Sequence, residues 1–358
     1  MTNIKTIITG TGCYIPSVVI KNSQFTRHSF FEKDESFIES PGEMVVSKFH
    51  DITGISERRW LQADLTCSDI AALAAEAAIA DAGIDRETID QIIVAHNFAD
   101  VIAGTVQSDM VPSLASRVKH MLKIANPYCI PYDIIFGCPG WIQGIIHSDT
   151  FIRSGAAKRC LVIGAETLSR VSDKYDRDTM IFSDGAGAVI VEAGNADENR
   201  GILSTAAVSH TNEEAGYLYM GKSNSPNGDT KVRYIKMHGR KVYEYSLMNV
   251  PVAMKTALDR SGIPITEVKK VLLHQANEKM DEAIVKRFFR LYGINVEIDK
   301  VMPMNIRELG NSSVATIPTL YDMILKGEVK GHSINKNDIL LFASVGAGMN
   351  INAFVYRY

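Results

Sequence analysis

The sequence lacks the features that mark several large classes of protein. No stretch approaches the roughly 20 consecutive apolar residues of a membrane-spanning helix, and the N-terminal apolar run is too interrupted for a signal peptide. The net charge of −3 leaves no basic surplus of the kind that nucleic-acid-binding proteins carry. We therefore expect a cytoplasmic protein that binds neither membranes nor nucleic acids.

The motifs of common cofactor sites are also absent. There is no Walker A motif, and Gly10-Thr11-Gly12 lacks the third glycine of a dinucleotide fingerprint, because Ile15 stands in its place. The cysteines form no CxxC pair and no Cys/His cluster with zinc spacing. We expect neither a metal nor a redox cofactor. The predicted free thiols are Cys13, Cys67, Cys129, Cys138 and Cys160.

Helical and strand patterns alternate along the chain, whose 358 residues are enough for about two domains. An alanine-rich amphipathic helix is predicted over residues 68–81, ended by Gly83, and a buried strand over residues 91–96. This alternation predicts an α/β fold with much parallel sheet. It continues with helices at residues 112–122 and 141–153, and strands at residues 132–136 and 158–165.

The second half of the sequence repeats the first. AIADAGIDRETIDQIIVAH, ending at His96, is similar to TALDRSGIPITEVKKVLLH, ending at His274. Gly137-Cys138 and Gly310-Asn311 each open a helix after a strand. Several similarities in the same order indicate an internal duplication. We predict two α/β halves, residues 1–195 and 196–358, with a functional site at the seam between them.

Cys138 is the candidate nucleophile. It follows an apolar strand, and Pro139 suits the first position of a helix, so the thiol is predicted at a helix N-terminus. The helix dipole favours a thiolate there. The alternative is a buried structural cysteine, which fits the other four cysteines better. The local pattern alone leaves both interpretations of Cys138 open.

Three further segments are placed to join Cys138 at the seam. His274 ends a strand and can exchange a proton, or it is an ordinary core histidine. Asn311 begins a helix and has either a functional role or that of an N-cap. Gly346-Ala347-Gly348 follows a strand and is either a tight turn or a loop whose N–H groups face a developing oxyanion.

In combination, these motifs resemble the thiolase superfamily, and within it ketoacyl-acyl-carrier-protein synthase III. The resemblance covers nearly the whole chain, and the order and spacing of its motifs agree. The matching segments are Thr53-Gly54-Ile55-Ser56-Glu57-Arg58, the glycines around Cys138, Arg153-Ser154-Gly155-Ala156, Ser183-Asp184-Gly185-Ala186-Gly187-Ala188, His274-Gln275-Ala276-Asn277 and Gly310-Asn311-Ser312-Ser313.

The resemblance implies a thiolase fold, with two duplicated halves in a layered αβαβα arrangement, and a homodimer. It implies that Cys138 takes an acyl group from a thioester. His274 and Asn311 would then stabilise the enolate of a decarboxylating malonyl-carrier thioester, which attacks the acyl-cysteine. The N–H groups of Cys138 and Ala347 would form an oxyanion hole for the acyl-cysteine. The family needs neither a metal nor a redox cofactor.

The departures from the family pattern concern substrate binding. Trp141 replaces the usual Phe after the cysteine, and Val345 stands where a gating Phe is common. Arg177 matches an arginine that contacts the nucleotide, so these three residues are predicted to bind substrate. The Trp and Arg that clamp the adenine of coenzyme A correspond to Lys48 and Ile52, so that clamp is lost.

Extra sequence near residues 25–44 and 99–110 argues against plain acetyl-coenzyme A as the primer. An alternative is a ketosynthase of specialised metabolism that joins two acyl thioesters into a cyclohexanedione or dialkylresorcinol precursor. A degradative thiolase would carry a second cysteine in the loop at residues 346–349, where none stands. A non-catalytic partner protein would typically have lost Cys138.

A helix is predicted over residues 278–290, with a buried stripe formed by Met280, Ile284, Phe288 and Leu291. Another face carries Lys279, Lys286, Arg287 and Arg290. On its own this is the pattern of a solvated face, which Asp281 and Glu282 partly neutralise. The resemblance instead implies that this basic face docks an acidic acyl carrier protein.

Overall fold

The computed structural model describes residues 4–195 and 198–358. The predicted halves begin at residues 1 and 196, both of which lie outside the described residues. The strands are β1 (Lys5–Tyr14), β2 (Val18–Lys21), β3 (Glu57–Trp60), β4 (Gln91–His96), β5 (Asp100–Val101), β6 (Ser108–Asp109), β7 (Ile130–Ile135), β8 (Arg159–Thr167), β9 (Asp184–Gly194), β10 (Gly201–Ser209), β11 (Leu218–Gly221), β12 (Tyr234–Met237), β13 (Val268–Leu273), β14 (Ile339–Gly346) and β15 (Asn350–Arg357). The helices are α1 (Gly42–Thr53), α2 (Cys67–Ala82), α3 (Leu114–Met121), α4 (Gly140–Ser154), α5 (Gly239–Ser261), α6 (Glu278–Arg290), α7 (Ile298–Val301), α8 (Ile306–Leu309) and α9 (Thr316–Leu325).

Two main sheets share one strand arrangement. The first has the order β1-β9-β8-β4-β7 and the second the order β10-β15-β14-β13. In the first sheet β4 runs parallel to β8, while β8–β9 and β9–β1 are antiparallel. The second sheet has the same directions, with β13 parallel to β14 and with β14–β15 and β15–β10 antiparallel. The sheets are related as a duplication predicts, and the boundaries of the two halves stay a prediction.

The sheets and helices form five layers. Helices α4 and α9 lie between the two sheets, in a core that includes Trp141, Ile145, Leu320, Phe342 and Phe354. Helices α2 and α3 cover the outer face of the first sheet, and α5 and α6 cover that of the second. This is the αβαβα order expected from the sequence, and it covers both faces of each mixed sheet, including the parallel pairs β4–β7, β4–β8 and β13–β14.

The strongest sequence patterns mark the elements closely. Helix α2 extends the predicted range by one residue at each end and stops at Gly83, whose φ of +63° is left-handed. Strand β4 and helix α6 have the predicted bounds. The predicted strands at residues 132–136 and 158–165 run instead over Ile130–Ile135 and Arg159–Thr167.

Close packing explains the Gly10-Thr11-Gly12 segment. Strand β1 lies directly on α2, and a Cβ at Gly12 would come 2.5 Å from the carbonyl oxygen of Ala74. Gly187 in β9 is in the same situation against α9, where a Cβ would lie 2.7 Å from the backbone nitrogen of Thr319. These glycines let backbones approach each other.

The sequence did not predict several elements around the site. Helix α1 and the β11–β12 hairpin were missed, and of α5 only the last residues were indicated, by the repeat segment that begins at Thr256. Pro251 lies inside α5, although a proline in a sequence usually indicates the end of a helix. Among the described residues, no helix combines the length and the apolar character needed to span a membrane.

Candidate active site

A cavity of about 400 Å³ opens at the seam between the two sheets, and both halves of the chain line it. The structure brings together around it five of the site residues predicted from the sequence. These are Cys138, His274, Asn311, Val345 and Ala347.

Cys138 is held by a tight turn between β7 and α4. Gly137 has a left-handed φ of +67°, and the N–H of Gly140 donates to its carbonyl oxygen at 2.9 Å. Pro139 takes the N-cap position and α4 begins at Gly140. The helix therefore begins one residue after Pro139, which the local motif placed at the first helical position, and Cys138 precedes the N-cap.

The loop after β14 presses against the backbone of this turn. A Cβ at Gly346 would lie 2.5 Å from the Cys138 nitrogen, and a Cβ at Gly137 would lie 2.7 Å from the Ala347 nitrogen. Only glycine fits at these two contacts. The contact places the backbone nitrogens of Cys138 and Ala347 at the same end of the cavity.

The environment of the Cys138 thiol disfavours its charged form. Burial raises the pKa of this thiol to about 11, and a hydrogen bond from Ser313 Oγ to Sγ, at 3.3 Å, opposes the rise. The sequence predicted a lowered pKa because it revealed only the helix end. Desolvation by the surrounding cavity is the opposing effect that it did not reveal.

His274 lies at the end of β13, where its N–H donates to the Ala343 carbonyl at 3.0 Å. The imidazole is buried, and burial lowers its pKa to about 3. The ring is therefore neutral at physiological pH. A neutral imidazole has one nitrogen that donates and one that accepts.

Thr316 decides which nitrogen of His274 carries the proton. Its Oγ1 lies 2.7 Å from Nδ1 and 3.0 Å from the carbonyl oxygen of Ser313. When the hydroxyl donates to Nδ1, the imidazole proton is on Nε2, which can then donate into the cavity. When the hydroxyl donates to Ser313, Nε2 is an acceptor.

Asn311 is fixed beside the segment at residues 181–183, which leads into β9. Its N–H donates to Ile181 and its carbonyl accepts from Ser183, both at 2.9 Å. The side-chain Oδ1 accepts from the N–H of Ser313 at 2.8 Å, which leaves the Nδ2 amide to donate. Helix α9 begins only at Thr316, so Asn311 is not its N-cap.

Trp141 is not placed to bind substrate, and its prediction is corrected. Only 1% of its surface is exposed, and its ring packs 6.3 Å from those of Phe342 and Phe354 in the core between the sheets. It follows Cys138 closely in sequence, but on α4 its side chain points to the sheets. Val345, by contrast, lines the cavity as predicted.

A second cavity, of about 820 Å³, adjoins the first. Arg177 lines this second cavity, and its Nη1 lies 3.0 Å from Oε1 of Glu32, in the extra segment. Lys48 and Ile52 also line it, at the place where the sequence predicted a lost adenine clamp. The residues common to both cavities are Ile181, Met237, Val242, Ala276 and Met280, so the two cavities share a wall.

Helix α6 borders both cavities through Met280. Its basic residues, Lys279, Lys286, Arg287 and Arg290, are all exposed, and Lys286 pairs with Glu282 at 2.8 Å. Two details of the prediction for α6 are wrong. Leu291 is not part of the buried stripe, since it is 41% exposed. Asp281 does not neutralise the basic face, since it is buried and its carboxylate accepts from the N–H groups of Ala276 and Asn277 at the helix start.

Comparison with known proteins agrees with this geometry. The family model for 3-oxoacyl-(acyl-carrier-protein) synthase III matches residues 132–211, and the model for the C-terminal part of the same enzyme matches residues 258–358. The chain is 31% identical to the beta-ketoacyl-acyl-carrier-protein synthase III of Cereibacter sphaeroides over 99% of both chains.

Solved structures show the same fold. The 3-oxoacyl-acyl-carrier-protein synthase III of Aquifex aeolicus aligns with a TM-score of 0.80 and 29% identity over 99% of this chain and 100% of that one. The priming beta-ketosynthase of a polyketide pathway shares the fold, with a TM-score of 0.80 and 21% identity over 99% of this chain and 97% of that one. The predicted thiolase fold is confirmed.

The fold is that of the thiolase superfamily, and the protein is a ketosynthase of that superfamily. More particularly, the chain belongs to the 3-oxoacyl-acyl-carrier-protein synthase III family.

We predict that His274 stays uncharged down to about pH 4, because burial lowers its pKa to about 3 from the ordinary 6.5. Since the folded pKa is lower than the unfolded one, the unfolded chain binds this proton first, and the free energy of unfolding decreases as the pH falls from 6.5 towards 3. The ring-proton NMR signal of His274, assigned with His274→Gln, is expected to stay constant between pH 5 and pH 8. A titration midpoint near 6.5 would contradict the prediction.

Proposed function

We propose that the chain transfers an acyl group to Cys138 and condenses it with a malonyl- or ketoacyl-carrier thioester. The observation that carries this proposal is the convergence of a thiol, a neutral buried imidazole and an amide donor on one cavity. Family membership supports it, because the matching motifs contribute these residues.

In the first half-reaction, the Cys138 thiolate attacks the thioester carbonyl of the donor. The carbonyl oxygen becomes negative, and the N–H groups of Cys138 and Ala347 are proposed to stabilise it. The tetrahedral intermediate expels the donor's thiolate, which takes up the proton lost by Cys138. The acyl group then occupies the cavity beside Val345.

In the second half-reaction, the carboxylate of a malonyl thioester leaves as carbon dioxide, and its electron pair forms an enolate. We assign Nε2 of His274 and Nδ2 of Asn311 as the donors to the enolate oxygen. For His274 this is the tautomer in which the Thr316 hydroxyl donates to Nδ1. Uncharged donors suit this step, because the negative charge appears only in the transition state. The enolate carbon attacks the acyl carbon and Cys138 leaves as a thiolate. No metal or redox cofactor is required.

The second cavity bears on the choice of substrate. It is larger than the catalytic cavity, and Met44, Phe49, Ile52 and Met180 contribute apolar surface to it. Glu32 already pairs with Arg177, and the adenine clamp is missing at Lys48 and Ile52. We propose that carrier-bound substrates are preferred to free coenzyme A thioesters.

A second candidate function is the joining of two acyl thioesters into a cyclohexanedione or dialkylresorcinol precursor. The observation that favours it is the volume of about 820 Å³ beside the catalytic cavity, which gives space for a second apolar chain. Product analysis with a malonyl extender, and with a ketoacyl thioester in its place, distinguishes the two functions. A non-catalytic partner protein is disfavoured because Cys138 is present.

The proposed partners are an acyl carrier protein and a second copy of the chain. Strand β7 is the edge of the first sheet, and Ile130 and Ile135 on it are 49% and 63% exposed. An apolar edge strand favours pairing with another strand. We therefore propose an edge-to-edge homodimer, and sedimentation of the purified chain as a single monomeric species would contradict it. A cytoplasmic location stays a prediction.

We predict that variants of the site residues affect different half-reactions. Cys138→Ala should abolish the mass gain seen after mixing with acyl thioesters, whereas Cys67→Ala and Cys160→Ala should keep it. His274→Ala and Asn311→Ala should still be acylated but condense on the order of 10²-fold more slowly, because each removes one donor to the enolate. Intact-mass spectrometry and release of carbon dioxide measure the two steps.

Two outcomes would contradict these assignments. Equal labelling of Cys138→Ala would exclude Cys138 as the acylated residue. Normal decarboxylation by both His274→Ala and Asn311→Ala would exclude these two residues as the enolate donors.

We predict that the basic face of α6 assists the docking of a carrier protein. Lys279→Glu with Lys286→Glu should slow turnover of carrier-bound substrates and leave turnover of a small thioester nearly unchanged. The loss should shrink as salt is added, because exposed charges are screened over about 8–10 Å at physiological ionic strength.

The matched control is Lys158→Glu with Lys330→Glu, which changes the net charge equally at exposed positions outside α6. Equal losses with both kinds of substrate would indicate damage to the site. The docking proposal would then be abandoned.

A further inference from the structure

A chain of hydrogen bonds connects a buried carboxyl group to the Cys138 thiol. Oε2 of Glu166 lies 2.5 Å from Nδ2 of Asn97, which in turn lies 3.0 Å from Oγ of Ser313. Ser313 Oγ lies 3.3 Å from the sulfur of Cys138. The proposed reaction assigns no role to Glu166, Asn97 or Ser313.

The carboxylate form of Glu166 sets the direction of the donors in this chain. Burial raises the pKa of Glu166 to about 7, and above that pH its Oε2 only accepts. It then accepts from the backbone N–H of Asn97 at 3.0 Å, and the amide end that faces it is the NH₂ group. The same NH₂ group donates its second proton to Ser313. Because Oγ accepts from Asn97, its own single proton is directed to the sulfur.

Asn97 sits in a loop that is anchored on its far side. The N–H of Ala99 donates to Nδ1 of His96 at 3.1 Å, and Nε2 of His96 lies 3.0 Å from Asp133. Asp100 accepts from both the N–H and the hydroxyl of Ser68 at 2.7 Å. The position of Asn97 is therefore set by the fold.

Ser313 and Glu166 both show signs of a constraint that packing does not explain. Ser313 is buried with a left-handed φ of +53°, a conformation that is costly for a serine. Glu166 is fully buried, and its Oε1 has no hydrogen-bond partner among the described residues. Both features are unfavourable for stability, and such features concentrate at functional sites.

The Cys138 thiol needs such a donor. Its surroundings are desolvated, and burial raises its pKa to about 11. A hydroxyl that donates to sulfur stabilises the thiolate more than the thiol, since hydrogen bonds to charged groups are the stronger ones. A free serine rotor would give this interaction only part of the time.

We infer that Asn97 and Glu166 are positioning residues that keep the hydroxyl proton of Ser313 directed at the sulfur of Cys138. Both act on the sulfur through Ser313; Asn97 also lines the catalytic cavity, whereas Glu166 does not. The inference rests on the proposed role of Cys138 as the nucleophile.

The test measures the reactivity of the free thiol, without substrate. Iodoacetamide alkylates Cys138, and the same reaction with Cys138→Ala gives the background from the other four cysteines. Ser313→Gly suits the left-handed backbone but removes the hydroxyl. Asn97→Asp is nearly isosteric but replaces the donor by an acceptor, which draws the serine proton away from sulfur.

Both variants are expected to slow alkylation of Cys138 at pH 8 on the order of 3- to 10-fold, the effect of losing a hydrogen bond to a thiolate. Ser312→Ala, at the neighbouring residue, should leave the rate unchanged. If Ser313 had only a structural role, Ser313→Gly would leave the alkylation rate unchanged, because glycine adopts the left-handed backbone conformation without strain.

A double variant tests whether Asn97 acts through Ser313. Asn97→Asp should have no further effect on alkylation once Ser313→Gly is present. Additive losses would overturn the inference, and so would an unchanged rate in Ser313→Gly. If Asn97→Asp does not fold, as judged by circular dichroism, Asn97→Ala takes its place with the same expectation.

Failure of this inference is distinguishable from failure of the proposed function. If acyl thioesters do not label Cys138, the proposed function fails, whatever the alkylation rates are. If they do label Cys138 and Ser313→Gly alkylates at the normal rate, only the positioning role is lost.

Discussion

The site depends on one contact between two backbones. The turn at Gly137 and the loop at Gly346 touch so closely that neither position has space for a Cβ atom. This contact joins the half of the chain that carries the nucleophile to the half that carries the imidazole and the amide. The seam is kept in register by the two sheets and the two central helices. The close contacts of β1 with α2 and of β9 with α9 support it.

Exclusion of water from the seam sets the protonation states within it. Burial keeps His274 neutral and makes ionisation of the Cys138 thiol unfavourable. The two effects suit different parts of the proposed chemistry. A neutral imidazole meets charge that appears on the substrate, whereas the thiol needs a local donor, which Ser313 is placed to provide.

Much of the site could be predicted from the sequence. Cys138 and His274 follow strong strand patterns, whose ends meet at one edge of a sheet, and Asn311 was found through its Gly-Asn-Ser-Ser motif, although α9 begins only at Thr316. The prediction that Trp141 binds substrate was wrong. The orientation of a central helix is set by its packing against two sheets, and a local motif contains no information on that packing. The second cavity was missed for a similar reason. Part of its wall comes from α1 and α5, and Pro251 within α5 made that helix hard to predict from the sequence.

The glycine contacts of the central layer also determine where this scaffold can change. A Cβ at Gly164 would lie 2.3 Å from the carbonyl of Val314, and one at Gly187 would lie 2.7 Å from the nitrogen of Thr319. Such backbone-to-backbone packing cannot widen to admit a bulkier ligand. Divergence in ligand size is therefore confined to the walls away from these glycines, which include α1 and the β11–β12 hairpin.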